Sequence, residues 1–211
     1  MVGGIISRLG SFSGKTVPGG IANPKGFYEN LFIRENVVKS ILRAANCDPL
    51  GVRRIPPENY FIKIKTNGGI TLSKFLTDHL ISERYDGSKL WMYKDAKLTL
   101  LWRIFDHYFP GAHWVIVRRK RNDFIRSCLK TSFMSQHSVD EKYWHNFADQ
   151  YEVRLTSLLA SARNVTEFSA ERIVSGDYQD VKSFCDRTGL NYSSDVINEF
   201  VDPLVWKRPQ Y

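Results

Sequence analysis

The chain has 211 residues, 43% of them hydrophobic and 25% charged, and its formal net charge is +8. This hydrophobic content excludes a wholly disordered chain, and the length favours a single domain, residues 1–211, with a sizeable core. No apolar run reaches the ~18 residues of a membrane span, and no secretory signal is recognisable. The positive charge favours an anionic partner, such as a nucleic acid, a phosphorylated cofactor or an acidic substrate.

Hydrophobic periodicity predicts helices and strands that alternate along the chain. Helices are predicted at residues 1–9, 28–45, 70–84, 97–109, 123–134, 140–162, 177–189 and 193–200. Strands are predicted at residues 60–65, 89–94, 113–117 and 164–169. The alternation predicts an α/β fold, with a parallel β-sheet flanked by helices on both faces.

The three cysteines, Cys47, Cys128 and Cys185, are widely spaced. They match neither a disulfide framework nor a metal-binding pattern. We therefore expect no metal site, and we expect a reducing, cytoplasmic location.

The stretch GSFSGKT, residues 10–16, is similar to the end of a phosphate-binding P-loop. A P-loop needs a glycine five positions before its Gly-Lys pair, and that position is Leu9 here. A P-loop also follows a β-strand, whereas residues 1–9 have helical spacing. We therefore predict a loop after a short helix, not a nucleotide site.

A stronger anion site is predicted where the strand at 113–117 ends. This strand is a continuous apolar run, typical of burial on both faces. It is followed by a basic turn, RRKRN at 118–122, and then by a helix. Ligands of open α/β sheets sit at the carboxyl ends of strands, where helix N-termini and arginines favour phosphate. The alternative is a solvated basic turn.

This segment resembles the 3'-phosphate-binding motif of the sulfotransferases that use PAPS (3'-phosphoadenosine 5'-phosphosulfate). In that motif a strand ends in Val-Arg, an acidic residue follows four places after the Arg, and a Ser follows eight places after it. Arg119, Asp123 and Ser127 have this spacing, and Arg118 is the offset alternative.

Other segments resemble the same family in the same order. They lie at residues 23–30 (NPKGFYEN), 90–102 (with Ala96 in place of the usual Pro), 109–119 and 164–190. The resemblance covers most of residues 23–207. It implies a sulfotransferase fold, similar to that of the P-loop nucleotide hydrolases.

The chain departs from the family at its start. The family's 5'-phosphosulfate loop, between the first strand and first helix, has no counterpart, so the fold is expected to be N-terminally truncated. We expect one of two explanations: a fragment or a start at an internal Met, or a shortened homologue that lost sulfonate transfer. Since the missing strand is central in the family, we expect exposed strand edges and a homodimer or recruited segment that covers them.

The resemblance also implies a co-substrate and its contacts. The co-substrate is PAPS, with 3'-phosphoadenosine 5'-phosphate as product, and no metal is required. Arg119 and Ser127 would bind the 3'-phosphate. Lys207 and Arg208 would add a second cationic contact, although the usual Arg-Lys-Gly triplet is absent.

The catalytic residues implied by the resemblance are Glu29, Lys94 and Asp95. Glu29 is the candidate base, and Lys94 would approach the sulfonate. Asp95 would orient Lys94 or act as an alternative base. Lys25 and His137 are further candidates. The structural alternatives are a first-turn helix acid for Glu29 and a surface ion pair for Lys94 and Asp95.

Two other functions compete with sulfonate transfer to a hydroxyl or amine. One is a non-catalytic protein that binds a 3'-phosphoadenosine nucleotide. The other is a basic nucleic-acid binder, which the aromatic residues disfavour because they occupy predicted core positions.

Overall fold

The computed structural model describes residues 1–20, 23–60 and 71–204. This part of the chain contains ten α-helices, one π-helix and two strands. The first helices are α1 (Val2–Arg8), a π-helix (Ile33–Val38), α2 (Lys39–Ala44), α3 (Leu72–Ser82) and α4 (Leu98–Tyr108). After β1 (Trp114–Arg118) come α5 (Arg121–Lys130), α6 (Ser132–Ser135) and α7 (Glu141–Ser161). β2 (Val165–Ser169) precedes α8 (Ala170–Val174), α9 (Gln179–Thr188) and α10 (Ser194–Phe200).

The two strands form a parallel pair with a regular register. Trp114 lies opposite Val165, and the pairing runs to Arg118 opposite Ser169. Helices α5, α6 and α7 form the crossover between the strands. The predicted mixed α/β fold with a parallel sheet is therefore confirmed in its coarse form, and within the described residues the sheet has two strands.

The sheet packs between two clusters of apolar side chains. Val115 contacts a cluster formed by α1, β2, α8, α9 and α10. Ile116 points into another, formed with Trp102 of α4 and Leu158 of α7. Ile116 is buried, Trp114 and Val115 are half-buried, and Val117 is 46% exposed. The predicted burial of this strand on both faces is therefore found only in part.

Most predicted helices are present with shifted ends, but the helix predicted at 28–45 includes the π-helix, and the helix predicted at 123–134 is divided into α5 and α6. Helix α8 was not predicted from the sequence. Residues 89–94 do not form a strand, because Trp91 alone makes an isolated parallel bridge with Phe12. The basic turn is shorter than predicted, since α5 already begins at Arg121. The strand predicted at 60–65 lies almost wholly outside the described residues.

Pro110 and Gly111 follow α4 as predicted, and Gly189 ends α9 in the left-handed conformation that favours glycine. Among the helices in the described ranges, none has both the length and the apolar character that crossing a membrane requires.

Candidate functional site

The contact that organises the site joins Glu29 to Lys94, two residues that the sequence singled out separately. Lys94 Nζ lies 2.9 Å from Glu29 Oε1, although the two residues are 65 positions apart in the chain. The Glu29 side chain is 9% exposed and that of Lys94 is 44% exposed. A largely buried carboxylate is therefore held beside a cation that reaches the surface.

The backbone beside Glu29 has an unusual conformation. Tyr28 has a φ of +56°, a region that non-glycine residues enter only at an energetic cost. Its ring packs edge-on against Phe200, with the centroids 5.9 Å apart. This packing holds the turn that directs Glu29 inward.

A second cation, which the sequence analysis missed, approaches the other carboxylate oxygen. Arg34 Nε lies 3.3 Å from Glu29 Oε2 and 3.5 Å from Glu35 Oε1. Arg34 belongs to the π-helix. In proteins generally, π-helical turns are frequent at functional sites. Hydrophobic spacing cannot distinguish this helix from an α-helix, so the position of Arg34 could not be read from the sequence.

Asp95 lies beside Lys94 in the chain but has different partners. Its carboxylate, with 0% of the side chain exposed, is 2.7 Å from Lys97 Nζ and accepts a hydrogen bond from the Lys97 N–H. The Tyr93 hydroxyl donates to it at 2.7 Å. Asp95 therefore anchors the turn that carries Lys94, and its ion pair with Lys97 is buried and not on the surface.

Tyr93 lies within the electrostatic influence of both carboxylates. Burial, and then the negative charges of Asp95 and Glu29, raise the pKa of the Tyr93 hydroxyl. Tyr93 therefore stays protonated and donates to Asp95. Tyr93 could not be identified from the sequence, because a single tyrosine in an extended segment carries no distinguishing pattern.

Further positive charge lies near Lys94. Burial, followed by the charges of Lys94 and Lys25, lowers the pKa of the Met1 α-amino group to about 6. Lys25 Nζ donates to the carbonyl of Phe200 and lies 4.9 Å from the centroid of the Phe200 ring. The candidate Lys25 is thus brought to the same region as Lys94.

Most cations near the predicted phosphate site have acidic partners. Arg118 is 2.6 Å from both Glu152 and Glu167. Arg121 is 2.5 Å from Asp149. Within α5, Arg126 also donates to Asp123. These acidic partners offset much of the local positive charge that the sequence indicated.

Arg119 and Ser127, the motif residues, lie in the same neighbourhood. Burial raises the pKa of the Cys128 thiol to about 12, and the charge of Arg119 acts against that rise. Arg119 is therefore within electrostatic reach of α5 where Ser127 precedes Cys128. Arg119 is exposed and Ser127 is half-buried.

An internal carboxylate occupies the start of α5, where the sequence predicted an anion. Glu171 Oε1 accepts a hydrogen bond of 2.9 Å from the N–H of Lys120. Burial would raise the pKa of Glu171, but the Lys120 N–H and the Ser169 hydroxyl donate to its carboxylate, and the net result is a lowered pKa.

The GSFSGKT loop also holds a carboxylate of the protein itself. It follows α1, as predicted, and lines a cavity of about 360 Å³ together with Glu83 and Lys89. Glu83 Oε2 accepts a hydrogen bond from the N–H of Lys15 at 3.0 Å. Glu83 could not be identified from the sequence, because its further partner Asn30 is 53 positions away in the chain.

Three candidates remain. Lys207 and Arg208 are outside the described residues. His137 acts electrostatically on Asp48, a residue of the loop after α2. Among the residues that the structure describes, no group of three or more His, Cys, Asp or Glu side chains could hold a metal ion.

Comparisons with protein-family models, curated proteins and solved structures gave no match to this chain. The site is therefore interpreted from its own contacts.

Proposed function

We propose that the chain is a sulfotransferase-like protein, which transfers a sulfonate group from PAPS to a hydroxyl or amine acceptor. The observation that carries the proposal is the 2.9 Å contact between Glu29 and Lys94. Sulfonate transfer needs a base for the acceptor proton and a cation for the charge that develops on the transferred group. These two residues supply both groups at one point.

Each residue of the cluster has a role in this proposal. Glu29 takes the proton of the acceptor as the acceptor atom bonds to the sulfonate sulfur. Lys94, with Lys25 nearby, stabilises the negative charge on the sulfonate and on the departing oxygen. Arg34 keeps the Glu29 carboxylate in place, and Asp95 fixes the turn of Lys94. PAPS, when bound, supplies the sulfonate and leaves as 3'-phosphoadenosine 5'-phosphate.

The residues present fit the nucleotide end of PAPS. Arg119 is exposed and close to the part of α5 that carries Ser127. A guanidinium and a hydroxyl are suitable donors for a 3'-phosphate. Arg118, the offset alternative, is 2.6 Å from two carboxylates, which would compete with a phosphate for its guanidinium. Lys207 and Arg208 stay candidates for a second contact.

A non-catalytic nucleotide-binding protein is the second candidate. It is favoured by the pairing of both Glu29 oxygens, Oε1 with Lys94 and Oε2 with Arg34. A base paired on both sides has less capacity to accept a proton. Nucleic-acid binding is less favoured, because the cations at 118, 121 and 126 have carboxylate partners.

Calorimetric titration with 3'-phosphoadenosine 5'-phosphate tests the nucleotide site. Loss of the Arg119 contact in Arg119→Ala should weaken binding by at least about tenfold, given the strength of hydrogen bonds to charged groups. Lys130→Ala, at the exposed end of α5, is the control and should bind as the unmodified chain does. Absence of binding to the unmodified chain would refute both candidates.

A radiolabelled PAPS transfer assay over a panel of phenols, alcohols and amines separates the two candidates. Glu29→Gln should lower the transfer rate by about 10²–10⁴-fold, the usual contribution of a general base, while nucleotide binding persists. Glu35→Gln is the control, since Glu35 also pairs with Arg34 but is 37% exposed. Nucleotide binding without any transfer would favour the non-catalytic candidate.

The homodimer and the cytoplasmic location stay predictions. The described strands pair with one another, and the exposed Val117 lies on β1, where a second copy could bind. Light scattering at micromolar concentration tests the dimer, and a monomeric mass would contradict it.

The cysteines at 47, 128 and 185 are free thiols.

A further inference from the structure

Residues 12–17, within and just after the GSFSGKT stretch, hydrogen-bond to the segment that carries Glu29. The N–H of Val17 donates to the carbonyl of Glu29 at 2.8 Å. The N–H of Leu31 donates to the carbonyl of Lys15, also at 2.8 Å. The carbonyl of Val17 accepts from the N–H of Phe27. Backbone bonds therefore fix the position of Glu29 on both sides.

The same residues hydrogen-bond to the segment that leads to Lys94. The N–H of Phe12 donates to the carbonyl of Leu90 at 2.7 Å, and the N–H of Met92 donates to the carbonyl of Phe12 at 2.8 Å. Residues 12–17, which we call the strap, thus connect two segments that are distant in the chain. The relative position of Glu29 and Lys94 depends on the conformation of the strap.

One carboxylate holds the strap in this conformation. Glu83 Oε2 accepts from the Lys15 N–H at 3.0 Å and from Asn30 Nδ2 at 2.8 Å. Asn30, 1% exposed, also donates to the carbonyl of Ser13 at 3.2 Å. Glu83 Oε1 lies 3.2 Å from His79 Nε2. Glu83 therefore ties α3 both to the strap and to the residue that follows Glu29.

Gly14 leaves the space that Glu83 needs. It has a φ of +63°, and a Cβ at this position would lie 1.9 Å from Glu83 Oε2. Any side chain there would force the carboxylate or the strap to move. The glycine that suggested a P-loop therefore accommodates a carboxylate of the same chain.

We propose that the strap sets Glu29 against Lys94, and that Glu83 is the positioning residue that fixes the strap. The catalytic part of this inference rests on the proposed sulfonate transfer, whereas the structural part does not. In this proposal Glu83 positions Glu29 and Lys94 indirectly, through its hydrogen bonds with Lys15 and Asn30.

Amide hydrogen exchange tests the structural part without any substrate. In Glu83→Ala the amides of Val17 and Leu31 should exchange on the order of tenfold faster, because the strap loses its anchor. In Glu83→Gln they should stay close to the unmodified protein, since both donors bind the same oxygen and an amide oxygen can accept both. Unchanged exchange in Glu83→Ala would overturn the proposal, whatever the transfer assay shows.

Two glycine variants distinguish the displacement of Glu83 from the backbone strain that any non-glycine residue has at a positive φ. Gly14→Ala should accelerate exchange at Val17 and Leu31 as Glu83→Ala does. Gly189→Ala is the control, because Gly189 has a similar φ of +74° but open space around its Cβ position. Equal acceleration at the strap in both variants would contradict a specific role for Glu83.

Transfer kinetics test the catalytic part. Glu83→Ala should lower kcat by about 10- to 100-fold through misplacement of the base, with little change in the KM for PAPS. In a Glu29→Gln background the same change should have little further effect, because both act through one residue. Additive losses would show that Glu83 does not act through Glu29. Absence of transfer in the unmodified protein would refute the proposed function but leave the exchange result as the test of the strap.

Discussion

The Glu29 cluster and the basic turn after β1 contain the same kinds of charged side chain in opposite surroundings. Glu29 and Asp95 are buried, and their cations come from both near and distant parts of the chain. In the basic turn, Arg119 and Lys120 are exposed, and the neighbouring ion pairs involve partly exposed acids. Separating the buried groups from their partners costs much free energy, because it leaves an unpaired charge in the interior. The exposed cations lose little when a ligand phosphate replaces a carboxylate.

This difference indicates that the two regions are suited to different roles. Burial restricts the Glu29 and Asp95 carboxylates, which suits groups that must keep a fixed geometry during a reaction. Exposure keeps the basic turn adaptable, which suits electrostatic capture of an anion. Variants in each region should therefore differ in their effects on stability.

The sharpest test compares two Asp–Lys pairs that have the same 2.7 Å separation. Asp95 pairs with Lys97 in the interior, and Asp78 pairs with Lys74 on the surface of α3. Asp95→Ala should destabilise the fold by about 3–5 kcal/mol, because it leaves a buried ammonium without its partner. Asp78→Ala should change the stability by less than about 1 kcal/mol. Urea denaturation measures both, and similar losses would contradict the contrast.

A second test concerns the packing that supports Lys25. A Cβ on Gly4 would lie 2.2 Å from the Phe200 ring. Gly4→Ala should therefore cost about 1–3 kcal/mol through overpacking. Gly111→Ala, where the added methyl meets open space, is the control. Thermal unfolding measures the two variants, and an unchanged midpoint for Gly4→Ala would show that α1 and α10 separate readily.

A smaller effect is expected for Arg118, despite its two ion pairs of 2.6 Å. Arg118→Gln should alter the free energy of unfolding by no more than about 1 kcal/mol, because exposed pairs are screened by water and salt. Denaturation in 0.05 and 0.5 M salt checks this. A loss comparable to that of Asp95→Ala would mean that the turn is as rigid as the buried cluster.

The smallest effect concerns the pH dependence of Glu171. Its pKa is lowered below the ordinary value of 4.5, so the folded state binds this proton less readily than the unfolded state does. The stability that it contributes is present above pH 4.5 and is lost as the pH falls through the lowered pKa. Glu171→Gln should therefore flatten the decline in stability below pH 4.5. An identical pH profile would show that the Lys120 N–H has no preference for a charged acceptor.

The sequence predicted local structure better than it predicted contacts. Helices such as α4 and α9 were predictable because apolar spacing and the end signals at Pro110–Gly111 and Gly189 act over a few residues. The segment at 89–94 was predicted as a strand from its alternation, but only Trp91 finds a bridge partner, on the strap. Alternation indicates an extended chain and does not reveal whether another strand lies beside it.

The candidate site was predictable in part. Glu29 and Lys94 were named from motifs, but their contact depends on the strap and on Glu83. Arg34 was missed because a π-helix shifts residue positions relative to α-helical spacing. The acidic partners of Arg118 and Arg121 come from α7 and β2, so the sequence of the turn alone overstated its free positive charge.

The register of the sheet has a consequence for how the chain folds. Trp114 pairs with Val165, which lies 51 positions later (165 − 114). Closing so long a loop is entropically costly, and parallel pairing is slow because it awaits collapse of the crossover. We expect α5 and α7 to pack together before the strands meet. Until then the apolar run of β1 is exposed, which makes it prone to aggregation during refolding.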